Sequence, residues 1–154
     1  MIALQEIVIA SNERTKYIHK ELFRFADESY ILIDSLIRFD PSAIRLQLCE
    51  NAERVHLALN WTDMIRFGTG REKPATGDIL ILLKKVGLSE KEIQPFRDSI
   101  YDILAYLYYG KRFDILRRLC SVIKQNLERD IKGSARVNCH LIYEETGSII
   151  ASSL

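Results

Sequence analysis

Residues 4–39 read LQEIVIASNERTKYIHKELFRFADESYILIDSLIRF, and the fold turns on how this stretch is read. Taken in alternating steps of four and three, it gives Leu4, Val8, Ser11, Thr15, Ile18, Leu22, Phe25, Ser29, Leu32, Leu36 and Phe39. That is the spacing of one face of a long helix lying along another helix. It predicts a helix from about Ala3 to Phe39, roughly 54 Å long at 1.5 Å per residue. The same stretch allows a second reading. Ile2 to Ile9 is rich in β-branched residues and reads as a strand, with Ser11 or Asn12 then capping a helix that begins afterwards.

Working outward, Asp40-Pro41 is a helix-start signal, with Asp at the N-cap and Pro at the first helical position. A second helix is predicted from Pro41 to about Phe67, its apolar face made by Ile44, Leu48, Ala52, Val55, Leu59, Thr62 and Ile65. Two long helices joined by so short a turn predict an antiparallel α-hairpin. Gly68-Thr69-Gly70 ends the second of them. A short helix follows over Asp78–Val86, with a strand as the competing assignment, because Ile79 to Leu83 is apolar on every side. Ser89 with Glu92 three residues later forms a capping box that opens a helix to about Tyr109. A last helix runs from about Arg112 to Ile131. In the tail, Val137, Cys139, Leu141 and Tyr143 alternate with polar residues, which is strand periodicity. Glu145 to Ser148 reads as a turn into a returning strand at Ile149-Ile150. The sequence thus predicts a mainly α fold. It is a single-domain helical bundle over residues 1–154 with a long N-terminal α-hairpin, shorter helices, and a tail (134–154) that is a small β-hairpin or partly disordered.

Composition narrows the function classes. The chain has 154 residues, 47% apolar and 28% charged, a globular balance, and its net charge of +1 gives no global pull toward nucleic acid or acidic membranes. The three cysteines, Cys49, Cys120 and Cys139, form no CxxC pair. An odd number without metal spacing predicts reduced thiols in a cytoplasmic protein. The apolar start lacks the basic region of a signal peptide, and no apolar run approaches the ~20 residues of a membrane span.

No chemical motif stands out. The histidines are His19, His56 and His140. They lack the usual zinc spacings, and neighbouring Cys139 and His140 point to opposite faces of a strand. No metal, cofactor or small-molecule ligand is therefore expected, and no catalytic residue is assigned. Gly68-Thr69-Gly70-Arg71 lacks the lysine-serine pattern of a phosphate loop. Arg14 and His19 are separated by four residues, a spacing that resembles the Arg-x4-6-His motif of the HEPN ribonucleases, which are also small helical bundles. In that family the motif lies toward the C-terminal part of the bundle, whereas here it lies near the N-terminus, so membership is not inferred. The resemblance implies, as a second alternative, a small helical ribonuclease using Arg14 and His19.

Two surfaces carry the functional expectations. Tyr101, Tyr106, Tyr108 and Tyr109 crowd one region, and four tyrosines cannot all point inward from one helix. Tyrosine suits protein interfaces because its ring is apolar and its tip is polar. With the apolar segment that includes Ile81 and Leu83, they predict a non-enzymatic interaction module. It would be an adaptor or regulatory subunit that self-associates or docks a protein partner, away from membranes. The first alternative is a nucleic-acid-binding helical protein. Lys111, Arg117, Arg118, Lys124 and Arg129 would hold phosphates from the polar side of the last helix. Asp114 and Glu128 stand four residues before Arg118 and Lys132 and lower the local potential.

Overall fold

A computed structural model describes residues 6–36, 52–131 and 135–153. Its first element is a strand, β1 (Glu6–Ala10), and the second reading of the opening stretch is the one that folds. Ile7 to Ala10 are buried on both faces of the sheet, where β-branched side chains pack well. Helix α1 (Glu13–Phe23) then starts at Asn12. The Asn12 side chain accepts a hydrogen bond from the Thr15 N–H at 2.9 Å, and the Asn12 N–H donates to the Thr15 hydroxyl at 3.0 Å. Arg24, in the left-handed region at φ 58°, closes the helix by donating its N–H to the Lys20 carbonyl. A 3-10 turn at Asp27–Ser29 leads into the short strand β2 (Tyr30–Leu32).

The central strand is β3 (Arg54–Leu59), and Val55 to Leu59 are all buried. Asn60 caps helix α2 (Trp61–Thr69) by accepting from the Asp63 N–H at 3.0 Å. Four further helices follow: α3 (Thr76–Lys85), α4 (Glu90–Ile93), α5 (Ile103–Tyr109) and α6 (Phe113–Asp130). The chain ends in the hairpin of β4 (Arg136–Tyr143) and β5 (Ser148–Ser152), whose turn needs the left-handed Gly147 at φ 70°.

The strands form one mixed sheet in the order β2-β1-β3-β4-β5. The first four are parallel and β5 runs antiparallel at the edge. The two faces are unequal. Ile7, Ile9, Leu57, Leu59, Cys139 and Leu141 join the side chains of α2 to α6 in a large core. Val8, Ala10, Ala58, Ile142 and Tyr30 form a small second core, with Ile18 of α1 packed on it.

The predicted mainly α bundle is therefore corrected to an α/β fold, and the chain is not all-α. Over the described residues 6–36, the helix expected over Ala3–Phe39 is instead a strand, a helix, a 3-10 turn, a short strand and a second 3-10 turn at Ile33–Ser35. Its seam fails at Leu22, which is largely exposed, while His19, off the seam, turns inward. The helix expected over Pro41–Phe67 is contradicted at its C-terminal half, where β3 and α2 stand, so the long α-hairpin does not form. Val55, Leu57 and Leu59 alternate with Arg54, His56 and Ala58 at the two-residue period of a strand, and Val55 and Leu59 match the helical step of four as well. The start signal at Asp40-Pro41, Cys49 and the helix end at Lys132-Gly133 lie outside the described residues. The capping box at Ser89 is present, but Pro95 and a 3-10 turn at Gln94–Phe96 divide the predicted helix. The last helix and the tail hairpin stand close to their predicted bounds, and the hairpin is held by pairing of β4 with β3. Among the described residues, no helix is long and apolar enough to cross a membrane.

Candidate metal centre

The small core under α1 contains the three histidines. His56 sits on β3 one residue before Leu57, and His140 sits on β4 one residue after Cys139. Leu57 and Cys139 face the large core, so His56 and His140 must face α1. The register sets Ala58 opposite His140 and His56 opposite Asn138, which places the two histidines diagonally on neighbouring strands. His19, on the buried face of α1, comes down on the same spot. All three are buried, and each offers a ring nitrogen within 4.8 Å of the nitrogens offered by the other two.

Two of the rings have a hydroxyl partner that orients them. His140 Nδ1 lies 2.6 Å from the Ser152 hydroxyl, its direct cross-strand neighbour on β5. His19 Nδ1 lies 2.7 Å from the Tyr30 hydroxyl on β2. With Nδ1 so engaged, the nitrogen left over is Nε2, and neither His19 Nε2 nor His140 Nε2 has a hydrogen-bond partner. Both nitrogens of His56 also lack one; its Nε2 faces the Glu6 carboxylate at 3.5 Å, beyond good hydrogen-bond length. Four buried nitrogens without partners are expensive, at about 1–3 kcal/mol each in typical cases.

Burial also fixes the protonation state. Desolvation, helped by the neighbouring His140 and His56, pulls His19 down to about 3, and desolvation with His56 pulls His140 down to about 4. His56 is lowered by desolvation despite the opposing pull of Glu6. All three are neutral imidazoles at pH 7, the form that ligates metal ions.

No family model, no curated protein and no solved structure matches this chain. What the centre does has to come from its own geometry.

Three neutral imidazoles, those of His19 and His140 with hydrogen-bonded Nδ1 atoms, make a donor set suited to late first-row divalent ions, zinc among them. A tetrahedral ion with bonds of 2.0–2.1 Å sets its nitrogens about 3.3 Å apart, so separations that reach up to 4.8 Å would shorten by at most about 1.5 Å on binding one. The described residues add no fourth histidine, cysteine, aspartate or glutamate to the group. Two phenylalanines flank it. Phe23 stacks on His19 at 4.5 Å and packs on His140 at 4.9 Å, and Phe25 packs on His56 at 4.9 Å. They bracket Arg24, so the left-handed turn that ends α1 is what sets both rings against the histidines.

The surfaces singled out from sequence lie elsewhere. Tyr101, Tyr106 and Tyr109 are exposed, Tyr108 packs against Tyr143 and Phe113, Ile81 is 70% exposed and Leu83 is fully buried. Lys111, Arg117, Arg118 and Arg129 are exposed, while Lys124 donates to the Glu128 carboxylate and the Val137 carbonyl. Arg14 donates to the Glu144 carbonyl, whereas His19 is buried against His56 and His140. The histidine cluster itself escaped sequence reasoning because its members lie 37 and 84 residues apart and meet only through sheet register. The signal was present in one form: His140 falls on the polar half of an alternating strand, and that half is the face α1 covers.

Proposed function

We propose that this protein is a metal-binding α/β domain in which His19, His56 and His140 hold a zinc ion that fastens α1 to the sheet. The observation that carries this reading is the convergence of three buried, neutral imidazoles, each offering a ring nitrogen within 4.8 Å of the other two and each keeping at least one nitrogen without a hydrogen-bond partner. The ligands come from α1, β3 and β4, so an ion would cross-link the thin layer to the sheet it covers. The phenylalanine cover and the burial favour a structural or sensing ion over one that meets a substrate. Neutral ligands and unpaired, buried Cys120 and Cys139 fit a reducing cytoplasmic setting, which is part of the proposal.

The test is titration of the apo protein with cobalt(II) followed by zinc(II), read by visible absorption and calorimetry. One ion per chain is expected, with a tetrahedral cobalt spectrum that zinc erases. His56→Ala and His140→Ala should abolish it. Ser152→Ala, which removes only the partner of His140 Nδ1, should weaken zinc binding by roughly 10–100-fold. Binding that survives His56→Ala and His140→Ala unchanged would sink the proposal.

The exposed aromatic surface favours a second reading, in which the domain also docks a protein or a second copy of itself. Tyr109 is 67% exposed, and Ile81, Tyr101 and Tyr106 also present apolar surface. Light scattering across a concentration series should show association that is lost when Tyr101, Tyr106 and Tyr109 are changed to serine. A wild-type monomer throughout, or association indifferent to the three changes, would remove self-association from that reading.

A further inference from the structure

We propose that the crevice over the carboxyl ends of β1 and β3 binds a neutral nucleoside, with the Asp34 carboxylate accepting hydrogen bonds from the ribose diol. The proposal is independent of the metal centre, which lies on the α1 face of the sheet. It begins with topology. The chain leaves β1 toward β2 on one side, while β3 lies on the other, so the parallel strand order reverses between β1 and β3. In open sheets of this kind, ligands bind in the crevice outside the carboxyl ends of the strands at such a reversal. Here that place holds a cleft of about 410 Å³, a volume within the range of small-molecule sites.

The chemistry of the lining selects the ligand. Ile33 and Leu36 supply an apolar wall, suited to the flat face of a base. The amides nearby are already engaged: Asn12 and Asn60 each cap a helix and each donate to the Glu144 carboxylate, at 2.7 and 3.3 Å. Buried Asp63 is paired with Arg66 at 3.2 Å. The Asp34 carboxylate and the Thr62 hydroxyl show no hydrogen bond or ion pair among the described residues. The Asp34 backbone is not loose, because its N–H donates to the Ser11 carbonyl at 3.2 Å, which pins the residue beside the end of β1. An exposed carboxylate on a pinned backbone is open to hydroxyl donors in the cleft, and its two oxygens match a vicinal diol. Asp34 also stands 22 residues past Asn12, two residues beyond the end of the second strand in the 3-10 turn Ile33–Ser35. By analogy of place, this is where nucleotide-binding sheets carry the acidic residue that holds ribose hydroxyls.

A phosphorylated ligand fits poorly. The turn after β1 is Ser11-Asn12-Glu13, without the glycines that let a backbone approach pyrophosphate. The N-termini of α1 and α2, the natural phosphate seats, both face the Glu144 carboxylate through their capping asparagines. Arg66 also lines the cleft but is paired with Asp63, so the crevice offers acceptors for hydroxyls rather than a free seat for an anion.

Ligand-observed NMR and calorimetry on the full chain would use adenosine, guanosine, cytidine and uridine, each beside its 2′-deoxy counterpart. At least one ribonucleoside is expected to bind at about 1 mM or tighter. Its 2′-deoxy form, and Asp34→Asn with the parent nucleoside, should each bind about tenfold or more weakly, the loss of a hydrogen bond to a charged group. Asp34 is exposed, so the variant should fold as the parent does. Absence of binding by all four ribonucleosides would overturn the proposal. Binding indifferent to Asp34→Asn would overturn the role of Asp34, and equal binding of ribo and deoxy forms would overturn recognition of the diol.

Discussion

Saturating zinc at pH 7 is expected to raise the midpoint of thermal unfolding by roughly 8–16 °C, a shift that His140→Ala removes. The magnitude follows from linkage. An ion that binds only the folded chain, present at a thousand times its dissociation constant, stabilises it by about 4 kcal/mol. In a domain of this size each kcal/mol moves the midpoint by roughly 2–4 °C. The structural basis is the cross-link. His19 stands on α1, and α1 seals a small core whose members are mostly short side chains, Val8, Ala10 and Ala58 among them. The large core on the opposite face needs no such help. Zinc should therefore slow amide exchange across Glu13–Phe23 more than across Phe113–Asp130. The comparison is made with and without zinc inside each variant, which cancels the packing change that the substitution itself causes. A shift of the same size in wild type and His140→Ala would show that zinc acts elsewhere, and no shift in wild type would remove the cross-link.

Much of the helical half of the fold was legible. The Ser89 capping box, the length of the last helix and the alternation in the tail each depend on local chemistry, and each appears close to its expected place. What was illegible is what depends on neighbours far along the chain. Val55 to Leu59 became a strand because β1 and β4 sandwich it and both its faces are covered. Its Val55, Leu57 and Leu59 alternate with Arg54, His56 and Ala58, a strand signal, but the four-residue step from Val55 to Leu59 fits a helix equally well. The opening stretch held both answers, since Asn12 with Thr15 is a legible cap, while Leu22 is an exposed residue that happened to fit a seven-residue rhythm. The metal centre lay a further step away. His56 and His140 become neighbours only when β3 and β4 pair in one register, and His19 joins them only if α1 starts at Asn12. A correct strand assignment would have put both strand histidines on the α1 face by parity alone.

The three histidines also set how the metal-free protein responds to acid. In the unfolded chain each titrates near 6.5, whereas in the fold His19 is held at about 3 and His140 at about 4, and His56 is lowered too. A depressed histidine means that folding favours the neutral ring. The stability is whole above pH 6.5 and is lost as pH falls toward the folded values, because the unfolded chain takes up protons that the folded chain refuses. By pH 4.5 His19 and His140 together cost about 5 kcal/mol, at 1.36 kcal/mol per pH unit for each, and His56 adds to this. That is a large share of the 5–15 kcal/mol of a typical domain. Buried Asp63 works in the opposite sense. Desolvation raises its pKa, so it contributes stability as pH falls and offsets part of the loss near the low end of the window. The lowered carboxyl groups Asp27, Glu92, Asp114 and Glu128 lose their contribution only at still lower pH. Between pH 6.5 and 4.5 the histidines therefore dominate. Urea unfolding in chelator at pH 7, 6, 5 and 4.5 should show stability falling with a slope of two to three protons, and His19→Gln with His140→Gln should flatten it to about one. A profile flat from pH 7 to 5 would mean that the rings protonate as freely in the fold as outside it. Zinc and protons compete for the same nitrogens in the fold only as pH nears the folded values, so the zinc increment should persist through this window and fall away as pH approaches 4.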